Sequence, residues 1–401
     1  MIGSIADGTT TIHNFATSSD SHSTLECLGR LGIVFREEAS TVHVEGRGLG
    51  AYIQPETTLD AHNSGTTVRM LSGILAACPL SATFVGDESL SRRPMRRIIE
   101  PLQRLGGRFD ARENNFLPMT IRGASLKAIE YELPVASAQV KSAILLAGVH
   151  ATGTTRVIEP LPTRNHTEVA LRQFGANLES NDRVIDIQGG QKLRAQTLTV
   201  PGDISSAAFF IAAALAVPDS RLLIRAIGLN PTRTGFINLL EDMGAGISVE
   251  GLSVGAGEPI GNLIIESSEL AGMDIRGHWI PNIIDEIPAL AVLATRTRKG
   301  IRIRDAAELR AKESDRIAAI SQNLRALGVE VEEFNDGLFV PGRQTIHGGV
   351  VDSFGDHRIA MAFAIAGLLA SDPVTIANSS CVAVSFPGFF ELLSQITVRV
   401  L

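Results

Sequence analysis

One stretch shows the unit from which the whole chain is built: residues 284–340 read IDEIPALAVLATRTRKGIRIRDAAELRAKESDRIAAISQNLRALGVEVEEFNDGLFV. A polar motif opens an apolar helix, and a short strand follows at Gly300-Ile-Arg-Ile-Arg304. A second, amphipathic helix ends at Leu327-Gly328, where glycine is typical of a left-handed C-cap. Alternating apolar residues on both sides of Asn335-Asp-Gly337 predict a hairpin. The stretch therefore predicts helix, strand, helix, strand, strand.

The same short strand recurs six times along the chain, which indicates an internal repeat. Its copies begin at Gly8, Leu80, Gly153, Asp219, Gly300 and Asp372. In the first five copies the next helix ends in a hydrophobic residue and a glycine, at Gly32, Gly106, Gly175, Gly244 and Gly328. Copies two to six are preceded by a polar helix-opening motif, at Asn63, Ser137, Asp203, Ile284 and Gly355. Because each unit holds two helices and about three strands, we expect a packed α+β assembly of three units per domain, with halves 1–200 and 201–401.

Composition excludes several classes of protein. The 401 residues are 44% apolar and 20% charged, which excludes a disordered chain, and the net charge of −7 argues against a general nucleic-acid binder. Three scattered cysteines, Cys27, Cys78 and Cys381, form neither a disulfide framework nor a metal spacing. The longest apolar run, Ala207 to Val217, is too short for a membrane helix. Because the N-terminus also lacks the features of a secretory signal, we expect a cytoplasmic protein without membrane or nucleic-acid partners.

Helix starts in the first half carry polar residues that suit an anion. Asn63-Ser-Gly-Thr-Thr-Val-Arg69 combines backbone amides, hydroxyl groups and an arginine. An ordinary N-cap is the alternative. The segment Ser89 to Arg97 holds four arginines, which indicates either a phosphate clamp or a solvated basic turn. Ser137-Ala-Gln-Val-Lys141 opens another helix, and Arg164 stands just before the next one.

The second half combines acidic and basic residues at its helix starts: Asp285-Glu286, Lys312-Glu-Ser-Asp-Arg316 and Gly355-Asp-His-Arg358. Acids at a helix N-terminus are normally partners of the helix dipole. A capping box fails for the second motif, because Ile317 stands third after Ser314, and we therefore expect that simple capping does not explain it. Taken with the first half, these motifs predict a cleft for a small polyanion closed by two domains. No zinc motif, Cys/His cluster or nucleotide-binding loop is found, so neither a metal nor a cofactor is expected.

In this order, the motifs resemble those of the 5-enolpyruvylshikimate-3-phosphate synthase (EPSP synthase) family of enolpyruvyl transferases. The resemblance runs from Ile5 to about Leu393 and rests on Asn63-Ser-Gly-Thr-Thr, Arg93-Pro-Met, Ser137-Ala-Gln-Val-Lys-Ser-Ala, Thr163-Arg-Asn-His-Thr-Glu, Ile284-Asp-Glu, Lys312-Glu-Ser-Asp-Arg and Gly355-Asp-His-Arg. It implies two inside-out α/β domains, each of three βαβαββ repeats, with an interdomain cleft. The first domain would be 1–200, with an incomplete first repeat, and the second 201–401.

The resemblance also implies an activity. Enzymes of this family transfer the enolpyruvyl group of phosphoenolpyruvate to the 5-hydroxyl of shikimate-3-phosphate and release phosphate. This step belongs to the shikimate pathway, which leads to chorismate and the aromatic amino acids. The reaction passes through a tetrahedral adduct without a metal, a cofactor or a covalent link to the enzyme. A cytoplasmic monomer is implied.

Individual roles follow from the matching motifs. Shikimate-3-phosphate would be held by Ser137, Ala138, Gln139, Arg164, Asp285 and Lys312. Phosphoenolpyruvate would be held by Asn63, Gly65, Arg93, Gln139, Arg316 and Arg358. The catalytic residues would be Asp285, which accepts the 5-hydroxyl proton, Glu313, which lies beside the methylene carbon, and Lys312. Added bulk at Gly65 would crowd phosphoenolpyruvate or its mimic glyphosate, so we expect sensitivity to glyphosate.

Two alternatives follow from departures in the sequence. The family opens with a Lys-Ser-x-Ser-x-Arg motif, and the repeat phase places it upstream of Met1, so an N-terminally truncated, poorly active or non-catalytic ligand-binding form is one expectation. A smaller departure is Val384, where some members carry lysine. The other alternative is UDP-N-acetylglucosamine enolpyruvyl transferase, which uses a loop cysteine near the second-unit arginine motif. No cysteine lies between Cys78 and Cys381, which argues against it.

Overall fold

The computed structural model describes residues 1–255 and 257–397. Contacts divide the chain into two compact units, one of Met1–Val200 and one that begins at Pro201. Each unit has a hydrophobic core of its own.

The first unit alternates short strands with helices. Its helices are α1 (Ile2–Ile5), α2 (Ser19–Arg30), α3 (Gly65–Leu75), α4 (Glu88–Ser91), α5 (Arg96–Leu105), α6 (Ala138–Gly148) and α7 (His166–Gln173). Its strands are β1 (Ala6–His13), β2 (Val34–Glu38), β3 (Thr41–Arg47), β4 (Leu59–Asp60), β5 (Ser81–Val85), β6 (Arg108–Arg112), β7 (Phe116–Arg122), β8 (Glu130–Glu132), β9 (Thr154–Ile158), β10 (Leu178–Asn181), β11 (Val184–Gln188), β12 (Leu193–Arg194) and β13 (Thr197–Thr199).

Sheets of the first unit repeat one strand order. In one sheet, β4 runs parallel to β5, β5 antiparallel to β7, and β7 antiparallel to β6. The next sheet repeats this pattern with β8, β9, β11 and β10. In the sheet built on β1, the opening strand is supplied by β12 and β13 from the end of the unit, and β3 and β2 complete it. Each sheet and its helices therefore form one βαβαββ unit.

Helices form the interior of the first unit. Every residue of α6 from Val140 to Gly148 is buried, so this helix is apolar on nearly all sides. It packs against α3, and the two backbones approach closely: a Cβ added at Gly73 would lie 2.2 Å from the Ala143 carbonyl oxygen. Residues along β5 alternate between buried and half-buried positions, as expected for a sheet with one face on the core.

The second unit uses the same elements. Its helices are α8 (Ile204–Ala216), α9 (Gly235–Asp242), α10 (Ile280–Ile283), α11 (Ile287–Ala294), α12 (Arg316–Ala326), α13 (His357–Leu369) and α14 (Phe389–Ile396). Its strands are β14 (Arg221–Gly228), β15 (Gly246–Gly255), β16 (Glu258–Glu266), β17 (Met273–Ile275), β18 (Ile301–Ile303), β19 (Glu332–Phe334), β20 (Gly337–Val340), β21 (Gly349–Asp352) and β22 (Val374–Ala377).

Among the described residues, one sheet of the second unit has the four-strand order seen in the first unit, and the other two have fewer strands. In one, β17 runs parallel to β18, which pairs antiparallel with β20, and β20 pairs with β19. Another has the order β14, β16, β15. Parallel strands β21 and β22 form a third. The mostly buried helices α8, α11 and α13 pack against one another at the centre. Their starts, where the polar motifs lie, are therefore held by the core.

Most of the predicted elements are confirmed. All six repeat strands lie where the repeat placed them. The glycines that follow the helices in the first five repeat copies all have positive φ, a backbone conformation that is strained for a residue with a side chain: Gly32, Gly106, Gly175, Gly244 and Gly328. The predicted hairpin is present, with Phe334 opposite Gly337. One expectation was wrong: α12 does have a simple cap, because the Asp315 carboxylate accepts a hydrogen bond from the Ala318 amide at 3.1 Å.

Candidate active site

A chain of hydrogen bonds orients one arginine beside the start of α3. Arg93 Nη2 donates to Asn63 Oδ1 at 2.8 Å and to Ser89 Oγ at 3.2 Å. Asn63 Nδ2 donates in turn to Asp87 Oδ2 at 2.6 Å. Asp87 is itself fixed, because it caps α4 through the Leu90 amide at 2.7 Å. The guanidinium group of Arg93 is therefore held in one direction.

A second arginine is held between α3 and α6. Arg69 Nη1 donates to Gln139 Oε1 at 2.5 Å, and Gln139 Nε2 donates to Thr66 Oγ1 at 2.9 Å. Arg69 belongs to the helix-start motif that was predicted to suit an anion, without a named substrate. The structure brings it to the same place as Gln139, which was predicted as a site residue.

Both guanidinium groups converge on Gly65, the first residue of α3. A Cβ placed there would lie 3.6 Å from Arg93 Nη1 and 3.7 Å from Arg69 Nη1. Ser64 caps the helix by accepting from the Thr67 amide at 3.3 Å. Two cations beside a helix N-terminus are a favourable arrangement for an anion. The structure thus brings together the predicted residues Asn63, Gly65, Arg93 and Gln139.

The remaining arginines of the segment Ser89 to Arg97 lie differently. Arg92, Arg96 and Arg97 are exposed, and Arg92 pairs with Glu88 one turn away. The solvated alternative therefore describes three of the four arginines, two of which open α5. Arg93 alone turns toward α3, and its role in holding a phosphate stays a prediction.

Ser137, Ala138 and Arg164 lie at the starts of two neighbouring helices. Ser137 caps α6 by accepting from the Val140 amide, and Ala138 is the first helical residue. Arg164 is half-buried just before α7. The α7 segment is joined to α6 by the Ser142 and Thr167 hydroxyl groups, whose oxygens are 2.6 Å apart.

In the second unit, three cations surround one carboxylate. Asp285 Oδ1 lies 3.3 Å from Arg316 Nη1 and 3.7 Å from Lys312 Nζ. Its Oδ2 lies 3.9 Å from Arg358 Nη2, and Arg358 Nη1 donates to the Asp285 carbonyl oxygen at 3.0 Å. Residues at the starts of α11, α12 and α13 thus meet at one point. A carboxylate can accept hydrogen bonds through both of its oxygens, so this cluster combines an acceptor with three cations.

Arg316 is the buried centre of this cluster, with 1% of its side chain exposed. Its Nε lies 2.8 Å from Asp356 Oδ2, and its Nη2 lies 2.5 Å from Glu313 Oε2. Burial alone would lower the pKa of Arg316, but Asp356, Glu313 and Asp285 reverse that effect and raise it. Burial alone would raise the pKa of Asp356, but Arg316 lowers it below its usual range. Arg316 was predicted from its motif as a ligand contact, whereas its pairing with Asp356 was not predicted.

Glu313 and Lys312 are more accessible than Arg316. Their side chains are 24% and 23% exposed, so both can meet a ligand without unfolding of the unit. Both are close to Asp285: Arg316 contacts Glu313 and Asp285, and Lys312 lies beside Asp285. All the residues predicted for the second half are therefore in one cluster.

A further polar network lies beside this cluster and was not predicted from the sequence. Arg233 Nη2 donates to Asp203 Oδ1 at 2.7 Å and to Ser205 Oγ at 2.6 Å, and Ser205 donates to Glu286. Burial alone would raise the pKa of Asp203, but Arg233 and Arg358 lower it. The motif that begins at Asp203 was visible as a helix start. Nothing in the sequence distinguished Arg233 from the other arginines, because all but five of the 36 basic residues are arginine.

Comparisons with known proteins identify the family of this chain. A family model described as EPSP synthase (3-phosphoshikimate 1-carboxyvinyltransferase) matches residues 1–393. A protein named 3-phosphoshikimate 1-carboxyvinyltransferase from Bacillus subtilis (strain 168) is 47% identical over 401 residues, which is 100% of this chain and 94% of that protein. One of the same name from Solibacter usitatus is 51% identical over 396 residues, 99% of this chain and 93% of that protein.

Solved structures give the same result. The EPSP synthase from Acinetobacter baumannii superposes with a TM-score of 0.88 at 41% identity, covering 98% of this chain and 91% of the other. The enolpyruvyl transferase NikO from Streptomyces tendae shares the fold with a TM-score of 0.79 at 18% identity, covering 98% and 90%. Among the described helices, none has the length and apolar character needed to cross a bilayer. On the family match, the identities and the fold, this chain belongs to the EPSP synthase (3-phosphoshikimate 1-carboxyvinyltransferase) family.

Proposed function

We propose that this chain transfers the enolpyruvyl group of phosphoenolpyruvate to the 5-hydroxyl of shikimate-3-phosphate and releases phosphate. The observation that carries the proposal is the Asp285 carboxylate with Lys312, Arg316 and Arg358 around it. It combines a base with cations suited to a phosphorylated, carboxylated substrate. The names of the matched relatives support the same reaction.

Phosphoenolpyruvate is assigned to residues in both units. In the first unit, Arg93 is oriented by Asn63, and Gly65 leaves space beside its guanidinium group. Gln139 completes this set through Arg69. In the second unit, Arg316 and Arg358 supply two further guanidinium groups, matching a trianion that has both a phosphate and a carboxylate.

Shikimate-3-phosphate is assigned to two helix starts of the first unit and to the base in the second. Ser137, Ala138 and Gln139 offer a hydroxyl, a backbone amide and a side-chain amide at the start of α6. Arg164 supplies a cation for the phosphate. Asp285 and Lys312 act at the 5-hydroxyl group.

Proton transfers accompany both the formation and the breakdown of the adduct. As the 5-hydroxyl oxygen bonds to C2 of phosphoenolpyruvate, its proton passes to Asp285, while C3 takes a proton from Glu313 and becomes a methyl group. This gives the tetrahedral adduct. The C2–O bond then breaks, with its electron pair leaving on the phosphate. C3 returns its proton to the Glu313 carboxylate as the double bond re-forms, and the released phosphate takes the proton from Asp285. Positioned acid and base groups typically contribute about 10²–10⁴-fold to such steps.

The comparisons do not favour the other readings of the sequence. The most similar relatives share one name, 3-phosphoshikimate 1-carboxyvinyltransferase, and none of them points to UDP-N-acetylglucosamine or to a non-catalytic protein. A monomeric state and a cytoplasmic location are part of the proposal and rest on the resemblance described above.

The test is phosphate release with defined acceptors. Protein produced from its full reading frame should release phosphate from phosphoenolpyruvate only when shikimate-3-phosphate is present. Shikimate without its phosphate should support at least 100-fold lower kcat/KM, since Arg164 would have no partner, and UDP-N-acetylglucosamine should support none. Equal turnover of shikimate, or turnover of the nucleotide sugar, would contradict the proposal.

A further inference from the structure

Three ionisable side chains form a buried cluster in the first unit that the proposed reaction does not use. Lys141 Nζ lies 2.9 Å from Glu159 Oε2 and 2.7 Å from Glu168 Oε1. The exposed fractions of the three side chains are only 1%, 2% and 3%. We call these three residues the Lys141 cluster. One ammonium group faces two carboxylates, which leaves a net negative charge if all three are ionised.

Burying such a cluster in a protein core is energetically unfavourable compared with burying apolar groups. Burying charges costs several kcal/mol per ion, and neutral groups of similar volume often serve stability equally well or better. Burial raises the pKa of Glu168, against the opposing effect of Lys141. A role in stability therefore does not account for the cluster, and its place in the fold becomes the relevant question.

The cluster fastens the connection from β9 to α7 onto α6. Glu159 directly follows β9, and Glu168 lies in the first turn of α7. Between them, Thr163 is held twice: its carbonyl oxygen accepts from Lys141 Nζ at 3.4 Å, and its hydroxyl donates to Glu159 Oε1 at 2.5 Å. The side chain next in sequence is Arg164, which is half-buried.

Lys141 lies one helical turn from the residues that we assign to shikimate-3-phosphate. The Lys141 amide donates to the Ser137 carbonyl oxygen at 3.1 Å, so Lys141 is in the first complete turn after the cap. Gln139 lies between them on the same helix. A displacement of residues 159–168 relative to α6 would thus change the distance from Arg164 to Ser137 and Gln139.

We propose that the Lys141 cluster is a positioning device that sets Arg164 against the start of α6, so that the two together accept the phosphate-bearing ring of shikimate-3-phosphate. This rests on the proposed function, since it deepens the assignment of that substrate to Ser137, Gln139 and Arg164. Lys141, Glu159 and Glu168 are positioning residues, because they act through Arg164 and touch no substrate.

The test removes the charges while keeping the volume. Lys141→Met alone leaves two buried carboxylates without a partner and is expected to unfold the unit. The main variant is therefore the triple substitution Lys141→Met, Glu159→Gln and Glu168→Gln, in which residue 159 can still accept from Thr163. A matched control is Arg156→Met with Asp186→Asn, which removes the partly exposed pair between β9 and β11.

Kinetics provide the first readout. The triple variant should raise KM for shikimate-3-phosphate at least tenfold, change KM for phosphoenolpyruvate less than threefold, and melt within a few degrees of the parent. In an Arg164→Ala background the same triple substitution should add almost nothing, because positioning an absent arginine has no effect. A folded triple variant with an unchanged KM, or an equal effect in both backgrounds, would overturn the proposal. The control pair should shift neither KM by more than about twofold.

Hydrogen exchange tests the positioning role of the Lys141 cluster independently of the proposed reaction. Amides of residues 159–168 should exchange at least tenfold faster in the triple variant and remain as in the parent in the control. If the parent fails to release phosphate with both substrates, the function is wrong, whatever the exchange shows. If the parent is active and exchange in this segment is unchanged by the triple substitution, the positioning role is wrong.

Discussion

The buried pair of Arg316 and Asp356 joins the starts of two helices: Arg316 Nε lies 2.8 Å from Asp356 Oδ2, and the two side chains are 1% and 0% exposed. Asp356 also caps α13, accepting from the Arg358 amide at 2.9 Å. Because Nε and Nη2 of Arg316 are engaged by Asp356, its Nη1 is directed at Asp285, 3.3 Å away. The pair therefore fixes the direction from which this guanidinium group reaches the Asp285 carboxylate.

Removing the cation of this pair should destabilise the second unit. Arg316→Met leaves the Asp356 carboxylate buried without its partner, and we expect the free energy of unfolding in urea to fall by about 3–5 kcal/mol. Arg325→Met, an exposed position on the same helix, should change it by less than about 0.5 kcal/mol. Similar losses of unfolding free energy in the two variants would show that the buried pair contributes no more to stability than an exposed arginine does.

Substitutions of the adjacent residues Arg93 and Arg92 should differ in their effect on KM for phosphoenolpyruvate. Arg93→Met removes the guanidinium group that Asn63 orients, and we expect KM for phosphoenolpyruvate to rise about 10–100-fold, since hydrogen bonds to charged groups contribute about 1.5–3 kcal/mol. Arg92→Met removes an exposed partner of Glu88 and should leave KM within twofold. Initial rates at saturating shikimate-3-phosphate decide this. A larger effect at Arg92 would refute the assignment.

A methyl group at Gly65 should weaken binding without harming the fold. The added Cβ would make ordinary contacts, the nearest being 3.6 Å from Arg93 Nη1 and Leu90 Cδ1, and alanine is favourable in a helix. It would occupy space between two guanidinium groups, so Gly65→Ala should raise the glyphosate concentration for half-inhibition about tenfold or more. Gly50→Ala, whose Cβ would meet nothing within 4 Å, is the control. Unaltered inhibition in Gly65→Ala would exclude this role.

Stability should depend on pH through His150. Burial lowers its pKa to about 4, whereas the unfolded chain has the ordinary value of 6.5. Between these values the unfolded state binds more protons, so stability is full above pH 6.5 and is lost as the pH falls toward 4, by up to about 3 kcal/mol. His150→Leu should reduce the slope of the urea-unfolding free energy across this window and leave the part that comes from His357, whose pKa burial also lowers to about 4. The exposed His13→Leu should keep the slope of the parent, and an unchanged slope in His150→Leu would contradict the assignment.

The elements that the sequence predicted are those with local signals. Gly328 and its equivalents end helices because the left-handed C-cap has a specific residue preference, and Asn335-Asp-Gly337 marks a hairpin for the same reason. Asp285, Lys312 and Arg358 were placed at helix starts, which the structure brings together. Local pattern was sufficient here because each of these residues belongs to a polar motif at or just before a helix.

Pairings between distant residues could not be predicted in this way. Asp356 lies 40 residues from Arg316, and no periodicity connects the two. Lys141 looked like a polar residue at a helix start, whereas it is buried between Glu159 and Glu168. Such ion pairs depend on which elements pack together, and that information is absent from the spacing of residues along one helix.

The most direct test of the central claim concerns Asp285. Phosphorus NMR of the parent, produced from its full reading frame and supplied with shikimate-3-phosphate and phosphoenolpyruvate, should show equal formation of inorganic phosphate and of a new phosphate ester. Asp285→Asn keeps the size of the side chain and should reduce kcat about 10²–10⁴-fold. Asp219→Asn, an exposed position with φ of 56° that asparagine tolerates, should match the parent. Normal turnover by Asp285→Asn would contradict the account.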